Sequence, residues 1–243
     1  MGSNQGRFRC ARRACLLVLL LCSHLDVLSE DAAPTSVDVA SIGSDDHHVR
    51  EPARLRLLAL GTDAVTALLE GVQEAAFESV HRRDLAWILG EIGDERAVPA
   101  LIQLYEEGAE KDDFLLRMGA VARSGGFPQA EMQDLLRRAA SGDPEPTVRG
   151  SALFRLAEDG DPRFLEDIVL GLEDPDAYVR ELAVRGLGRF DTIPRETADR
   201  LGRFILEEED HDIRDDLKLL LHNRGFRQWG EEVSSSAAPP SSP

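Results

Sequence analysis

The sequence predicts an all-α protein, a solenoid of about five to six stacked helix pairs. Three observations carry that expectation. Asp143-Pro-Glu-Pro-Thr-Val-Arg149 is answered 31 residues later by Asp174-Pro-Asp-Ala-Tyr-Val-Arg180, and aliphatic–Arg pairs recur at Val49-Arg50 and Ile213-Arg214, all four with acidic residues just ahead. Apolar residues follow each arginine at helical spacing. No run of β-branched residues alternates between turn clusters, so strand signals are missing. Self-similarity at a fixed period marks small units that bury their faces against neighbours.

The first helix of each unit is read from its arginine. Ala53, Leu57 and Leu58 follow Arg50; Leu85, Ala86 and Leu89 follow Arg82; Ala152, Leu153, Leu156 and Ala157 follow Arg149; Ala183, Val184 and Leu187 follow Arg180. Offsets of three, four, seven and eight share one face of a 3.6-residue helix. A glycine then ends the helix (Gly61, Gly93, Gly160 and Gly188), because glycine enters the left-handed region without steric cost.

A second helix is predicted in each unit over 63–73, 95–107, 129–140, 162–172 and 195–207. Asp161-Pro162 is a start signal, with a capping carboxylate and a proline at the first helical position. Pro99 falls in a first turn, where its missing N–H is tolerated. Five pairs and a sixth, partial unit thus fill 47–227. The third unit is irregular. Phe114 stands where the arginine is expected, an acidic stretch runs from Glu106 to Asp113, and Ser124-Gly-Gly-Phe-Pro128 replaces the Gly-Asp turn. A drifted repeat with a longer loop and a protruding recognition loop are both open readings.

The residues carry a family resemblance. Leu89-Gly-Glu-Ile-Gly-Asp-Glu-Arg-Ala-Val-Pro-Ala-Leu-Ile102 resembles the HEAT repeat of the short bacterial, PBS-lyase-like type, and Asp176–Arg180 and Glu145–Arg149 fit its Asp-x-x-Val-Arg pattern. The resemblance covers most of the chain outside its ends. It implies a right-handed α–α superhelix of the HEAT/armadillo kind, with first helices outward and second helices lining a concave surface. Such repeats specify a fold and serve many unrelated functions. The repeat arginines Arg50, Arg149, Arg180 and Arg214 are expected to pair with carboxylates of their own or a neighbouring unit and hold the stack together.

The ends read differently. Arg7, Arg9, Arg12 and Arg13 precede an apolar run from Ala14 to Cys22, the pattern of a secretory signal over 1–29, too short for an ordinary transmembrane helix. Cleavage near Ser29, acylation at Cys22 (with Leu21 where a small residue would stand) and an uncleaved anchor are three open fates. All three cysteines lie in this segment, so a cleaved chain has neither disulfide nor thiol chemistry. Residues 30–46 read as a flexible acidic leader, and 228–243, rich in Ser and Pro, as a disordered tail.

Charge narrows the partners. The net charge is −17, and loss of residues 1–29, with four arginines and Asp26, takes it to −20. That surface repels phosphate backbones and anionic lipid and suits a basic partner. Membrane contact is then expected only through the N-terminal segment.

The chain shows no Gly-rich phosphate loop, Gly-x-Ser-x-Gly elbow or mature cysteine nucleophile, so neither catalysis, a cofactor nor a small-molecule substrate is expected. Asp45-Asp46-His47-His48 and Asp210-His211-Asp212 are read as helix starts rather than metal ligands. One HEAT-like enzyme family holds two irons on His-Glu pairs, and this chain contains no His-Glu dipeptide. The expectation is an exported, non-enzymatic scaffold or adaptor that binds another protein on its concave face. Gln103, Glu106, Gln133, Arg137, Glu166 and Arg203, polar positions of the second helices, would make the contacts. The competing reading is an accessory subunit of a lyase-type enzyme related to the bilin lyases.

Overall fold

The computed structural model describes residues 36–74 and 76–226. The signal or anchor segment 1–29, its cysteines, Trp229 and the tail 228–243 lie outside the described residues. Among those described, every regular element is helical: α1 (Ser36–Ser41), α2 (His47–Leu60), α3 (Val65–Gln73), α4 (Ser79–Ile92), α5 (Val98–Glu110), α6 (Phe114–Val121), α7 (Ala130–Gly142), α8 (Pro146–Leu156), α9 (Leu165–Leu170), α10 (Ala177–Leu187), α11 (Arg195–Glu207) and α12 (His211–Asn223). From α2 onward they form five pairs and a final single helix, an α solenoid.

Acidic caps start most first helices. The carboxylates of Asp46, Asp113, Asp176 and Asp210 accept free N–H groups at the starts of α2, α6, α10 and α12, and Asp161 takes the Arg163 N–H as its sequence position predicts. Short 3-10 turns lead from first to second helix at Glu95–Ala97 and Pro162–Phe164. Gly160, at φ 62°, also lets the chain pass close to the following unit, since a Cβ there would lie 2.5 Å from the Arg189 carbonyl. Gly188 departs from expectation: its φ is −62° and its N–H bonds the Val184 carbonyl, so α10 ends without a left-handed residue.

One apolar core runs the length of the stack, from Val39 through Leu57, Leu85, Leu101, Leu135, Val148, Ala183 and Leu201 to Leu221. Each unit contributes to the layers on both sides, the geometry by which thin repeats acquire a shared interior.

Two expectations are corrected. Residues 30–46 are not wholly a flexible leader, because 36–41 form α1, with Val39 and Ile42 at 4% and 2% exposure. Val39 packs where a side chain on Gly71 would collide with it, and the His81 imidazole Nε2 lies 2.7 Å from the Val39 carbonyl. A carbonyl only accepts, so that nitrogen carries the proton. The second correction concerns the third unit. Phe114 is the first residue of α6 and 45% exposed, whereas Arg117 is 3% exposed and occupies the repeat position. Ala120 and Val121, both buried, follow Arg117 at the usual offsets. The insertion therefore precedes the arginine: α5 runs on to Glu110, and Asp112 turns the chain at φ 54°.

Candidate functional site

Two networks of charged side chains run along the solenoid and do different things. The first is buried and starts from the repeat arginines. Arg149 donates Nη1 to the Asp143 carbonyl (2.8 Å) and clasps Asp174 through Nε and Nη2 (2.7 and 2.8 Å). Arg180 repeats this on the Asp174 carbonyl and on Glu208 (3.0, 2.8 and 3.0 Å). Arg82 forks onto Glu107 at 2.6 and 2.7 Å. Arg117 Nε reaches Asp143 at 2.9 Å, where the Tyr105 hydroxyl also donates at 2.9 Å. Asp143, Asp174 and Glu208 lie in the segments leading into the next first helix, so their pairs are rungs at the junctions between units, whereas Glu107 lies within α5 and its pair ties α4 to the second helix of the same unit.

Arg149 and Arg180 thus each pair with a carboxylate, and Arg82 and Arg117, which were not among the four arginines expected to pair, do so as well. Arg50 and Arg214 keep the backbone half of the arrangement, donating Nη1 to the Ser44 carbonyl (2.7 Å) and the Glu208 carbonyl (3.2 Å). Neither holds a carboxylate among the described residues. For Arg214 no further described unit supplies one, and its Nε is buried without a partner.

The rungs shift proton affinities. Hydrogen bonds from Arg82 hold the Glu107 carboxyl at about 2, with burial opposing and Lys111 assisting. Burial pushes the Asp174 carboxyl up, but the Arg149 hydrogen bond, the Asp176 N–H and neighbouring charge outweigh it, and the net shift is downward. Glu208 behaves in the same way against Arg180. Burial first, and then the hydrogen bond to Asp143, raise the Tyr105 hydroxyl.

The second network lies on the second helices, among the residues expected to contact a partner. Glu106 on α5 accepts from Arg138 on α7 at 2.8 Å; Arg137 on α7 donates to Asp167 on α9 at 3.1 Å; Glu166 on α9 accepts from Arg200 on α11 at 2.7 Å. The Arg137 guanidinium also sits 4.9 Å from the Phe164 ring centroid. Gln133 donates to the Pro128 carbonyl at 3.3 Å. Gln103 and Arg203 are exposed. The six predicted residues therefore share one row of second helices, four of them already engaged within the chain. Arg138, Asp167 and Arg200 are the partners that spacing alone did not reveal; the signal was the recurrence of opposite charges 30 to 34 residues apart.

The row can present an ordered mosaic of both signs. Pairs this exposed contribute only about 0–1 kcal/mol each. Their effect is to restrict long side chains before any partner arrives, which lowers the ordering cost of binding. The two candidate metal clusters resolve as helix starts. Asp46 accepts the His48 N–H at 2.8 Å, Asp210 accepts the Asp212 N–H at 3.0 Å, and the His47 and His48 rings stack on each other at 6.2 Å.

The family described as HEAT repeats matches residues 65–153 and again residues 134–221. No curated protein sequence matches the chain. Among solved structures, the complex of CpcE and CpcF of phycocyanin lyase from Nostoc sp. PCC7120 is similar over 84% of this chain and 81% of that one, at 22% identity and a TM-score of 0.49. Human deoxyhypusine hydroxylase in complex with glycerol is similar over 84% of this chain and 91% of its own, at 16% identity and a TM-score of 0.38.

Proposed function

This chain belongs to the HEAT-repeat family, and we propose that it is a non-enzymatic adaptor, exported to the cell envelope, that binds another protein on the surface of its second helices. The observation that carries the reading is the row of cross-helix pairs from Glu106 to Arg200. Those exposed pairs add little to stability, whereas the buried rungs already hold the stack. A pre-ordered polar surface spread over α5, α7, α9 and α11 suits recognition by shape and charge complementarity over several units. The acidic balance of the chain favours a basic partner.

The test is a pull-down from envelope extract with wild type and with Gln103→Lys and Arg203→Glu variants, each checked for wild-type circular dichroism. Loss of one identified partner in both variants supports the face. Retention of that partner in both refutes it, and turnover of a substrate by the isolated chain refutes the adaptor reading. Export rests on the basic and apolar pattern of residues 1–29. Sequencing the mature N-terminus distinguishes a start at Glu30, a modified Cys22 and an intact Met1.

A further inference from the structure

A cleft of about 420 Å³ opens between the first helices α2 and α4, on residues that the second-helix row does not use. Its cations are Arg50, Arg54, Arg83 and Arg123, and Trp87 and Ile42 supply apolar wall. Three carboxylates, Glu51, Asp84 and Glu91, line the same cleft, which leaves one arginine in excess in a chain of net charge −17. Three of the arginines are answered locally. Glu51 takes Arg54 at 3.0 Å, Asp84 takes Arg83 at 2.6 Å, and Arg123 lies 3.8 Å from Glu91 and 5.4 Å from the Trp87 ring centroid.

Arg50 is the exception, and its sister arginines show what it lacks. In Arg149 and Arg180, Nη1 is anchored on the carbonyl six residues back, and the Nε–Nη2 edge is left to clasp a carboxylate. Arg50 has the same anchor, on the Ser44 carbonyl. A unit follows it, as one follows Arg149, yet no carboxylate among the described residues occupies that edge. Glu74 stands at the corresponding place in the repeat. Its carboxylate accepts the Ala76 N–H at 3.1 Å, as Asp174 accepts that of Asp176 at 2.9 Å, but it does not reach Arg50. The guanidinium therefore has the backbone anchor of its carboxylate-binding sisters, in a cleft also lined by a tryptophan that is 45% exposed.

We propose that this cleft binds an acidic peptide segment of a protein partner, with one carboxylate on the Arg50 fork and an adjacent apolar side chain against Trp87. Planar, two-pronged recognition of carboxylate is the chemistry for which arginine is pre-organised, and the aromatic wall adds area at low entropic cost. The site is separate from the second-helix surface and does not depend on the adaptor reading.

The experiment uses the full chain carrying Trp229→Phe, so that emission reports Trp87, titrated with an acetylated Glu-Leu-Glu-Leu-Glu peptide. A saturable change in emission is expected, with affinity at least about tenfold weaker in Arg50→Gln, as loss of a charge-assisted bond implies. If Arg50→Gln fails to fold, Arg50→Lys, which keeps the charge and loses the fork, is read against the same threshold. No saturable change, or equal affinity in the Arg50 variant, overturns the proposal. So does an equal response to inorganic phosphate alone, which would mark indiscriminate anion binding. A fourth outcome also overturns it: Glu74→Gln lowering stability as much as Asp174→Asn would mean that Glu74 closes the rung in solution. Unchanged stability in Glu74→Gln supports an open fork.

Discussion

Arg149 and Arg137 both pair with an aspartate of the next unit, and burial decides what each pair is worth. The Arg149 and Asp174 side chains are 12% and 11% exposed, while those of Arg137 and Asp167 are 42% and 31% exposed. Asp174→Asn leaves a nearly buried guanidinium without its counter-charge and should cost about 3–5 kcal/mol. Asp167→Asn should cost less than about 1 kcal/mol. Urea unfolding of the two variants side by side checks the contrast, and equal losses would refute the division into a structural and a presenting network.

The same rungs set the response to acid. Glu107 titrates at about 2 when folded against an ordinary 4.5. A folded value below the unfolded one means that the rung's stabilisation is complete above about pH 4.5 and is lost as pH falls toward 2. The stability gap between wild type and Glu107→Gln should therefore narrow across that window when urea midpoints are measured at successive pH values. A gap that stays constant would show that Arg82 does not hold the carboxylate ionised.

At the scale of elements, α1 and α6 show where a sequence pattern was present but hard to read. The period that marks the other helices needs at least two turns, and α1 has six residues. Its order comes from contacts remote in sequence, with Val39 and Ile42 in the core and the His81 ring on the Val39 carbonyl. Val39→Asp should free α1 alone, because an unpaired charge cannot stay in that apolar site. Amide exchange in 36–42 should rise to the level of an open chain while α4 to α10 keep their protection. Unchanged exchange in 36–42 would mean that α1 is held by something other than this contact.

In the third unit the matching residue type sat three positions from the expected one. The better marker was the acidic residue four positions before each arginine, which Asp113 and Arg117 satisfy as Asp176 and Arg180 do. Gly108 completes the change, since a Cβ there would lie 2.8 Å from the Arg117 side chain.

For the whole molecule, stability is shared between neighbours, and the rungs are unevenly distributed. Three join the units from α6 to the start of α12, a fourth ties α4 to α5, and the terminal arginines Arg50 and Arg214 close none among the described residues. In a quasi-one-dimensional stack the ends open first. Hydrogen exchange should be slowest in α6 to α10 and fastest in α2 and α12. Uniform protection along the stack would show that apolar burial, rather than the rungs, sets local stability.

By itself the sequence determined the helix pairs, their number, most of their boundaries and the identity of Arg149 and Arg180 as members of one series. Those properties follow from local periodicity, capping acids and turn residues, all of which act within a few positions of the chain. Only the tertiary structure decided which carboxylate each arginine holds, that Arg117 rather than Phe114 belongs to the series, that α1 joins the core, and that the polar second-helix positions are tied to one another. Those outcomes depend on distances between residues some 25 to 42 positions apart, which are set by how one unit sits on the next. The open fork of Arg50 is of the same kind. Its sequence context matches that of its sisters, and the missing carboxylate appears only when the neighbouring unit is in place.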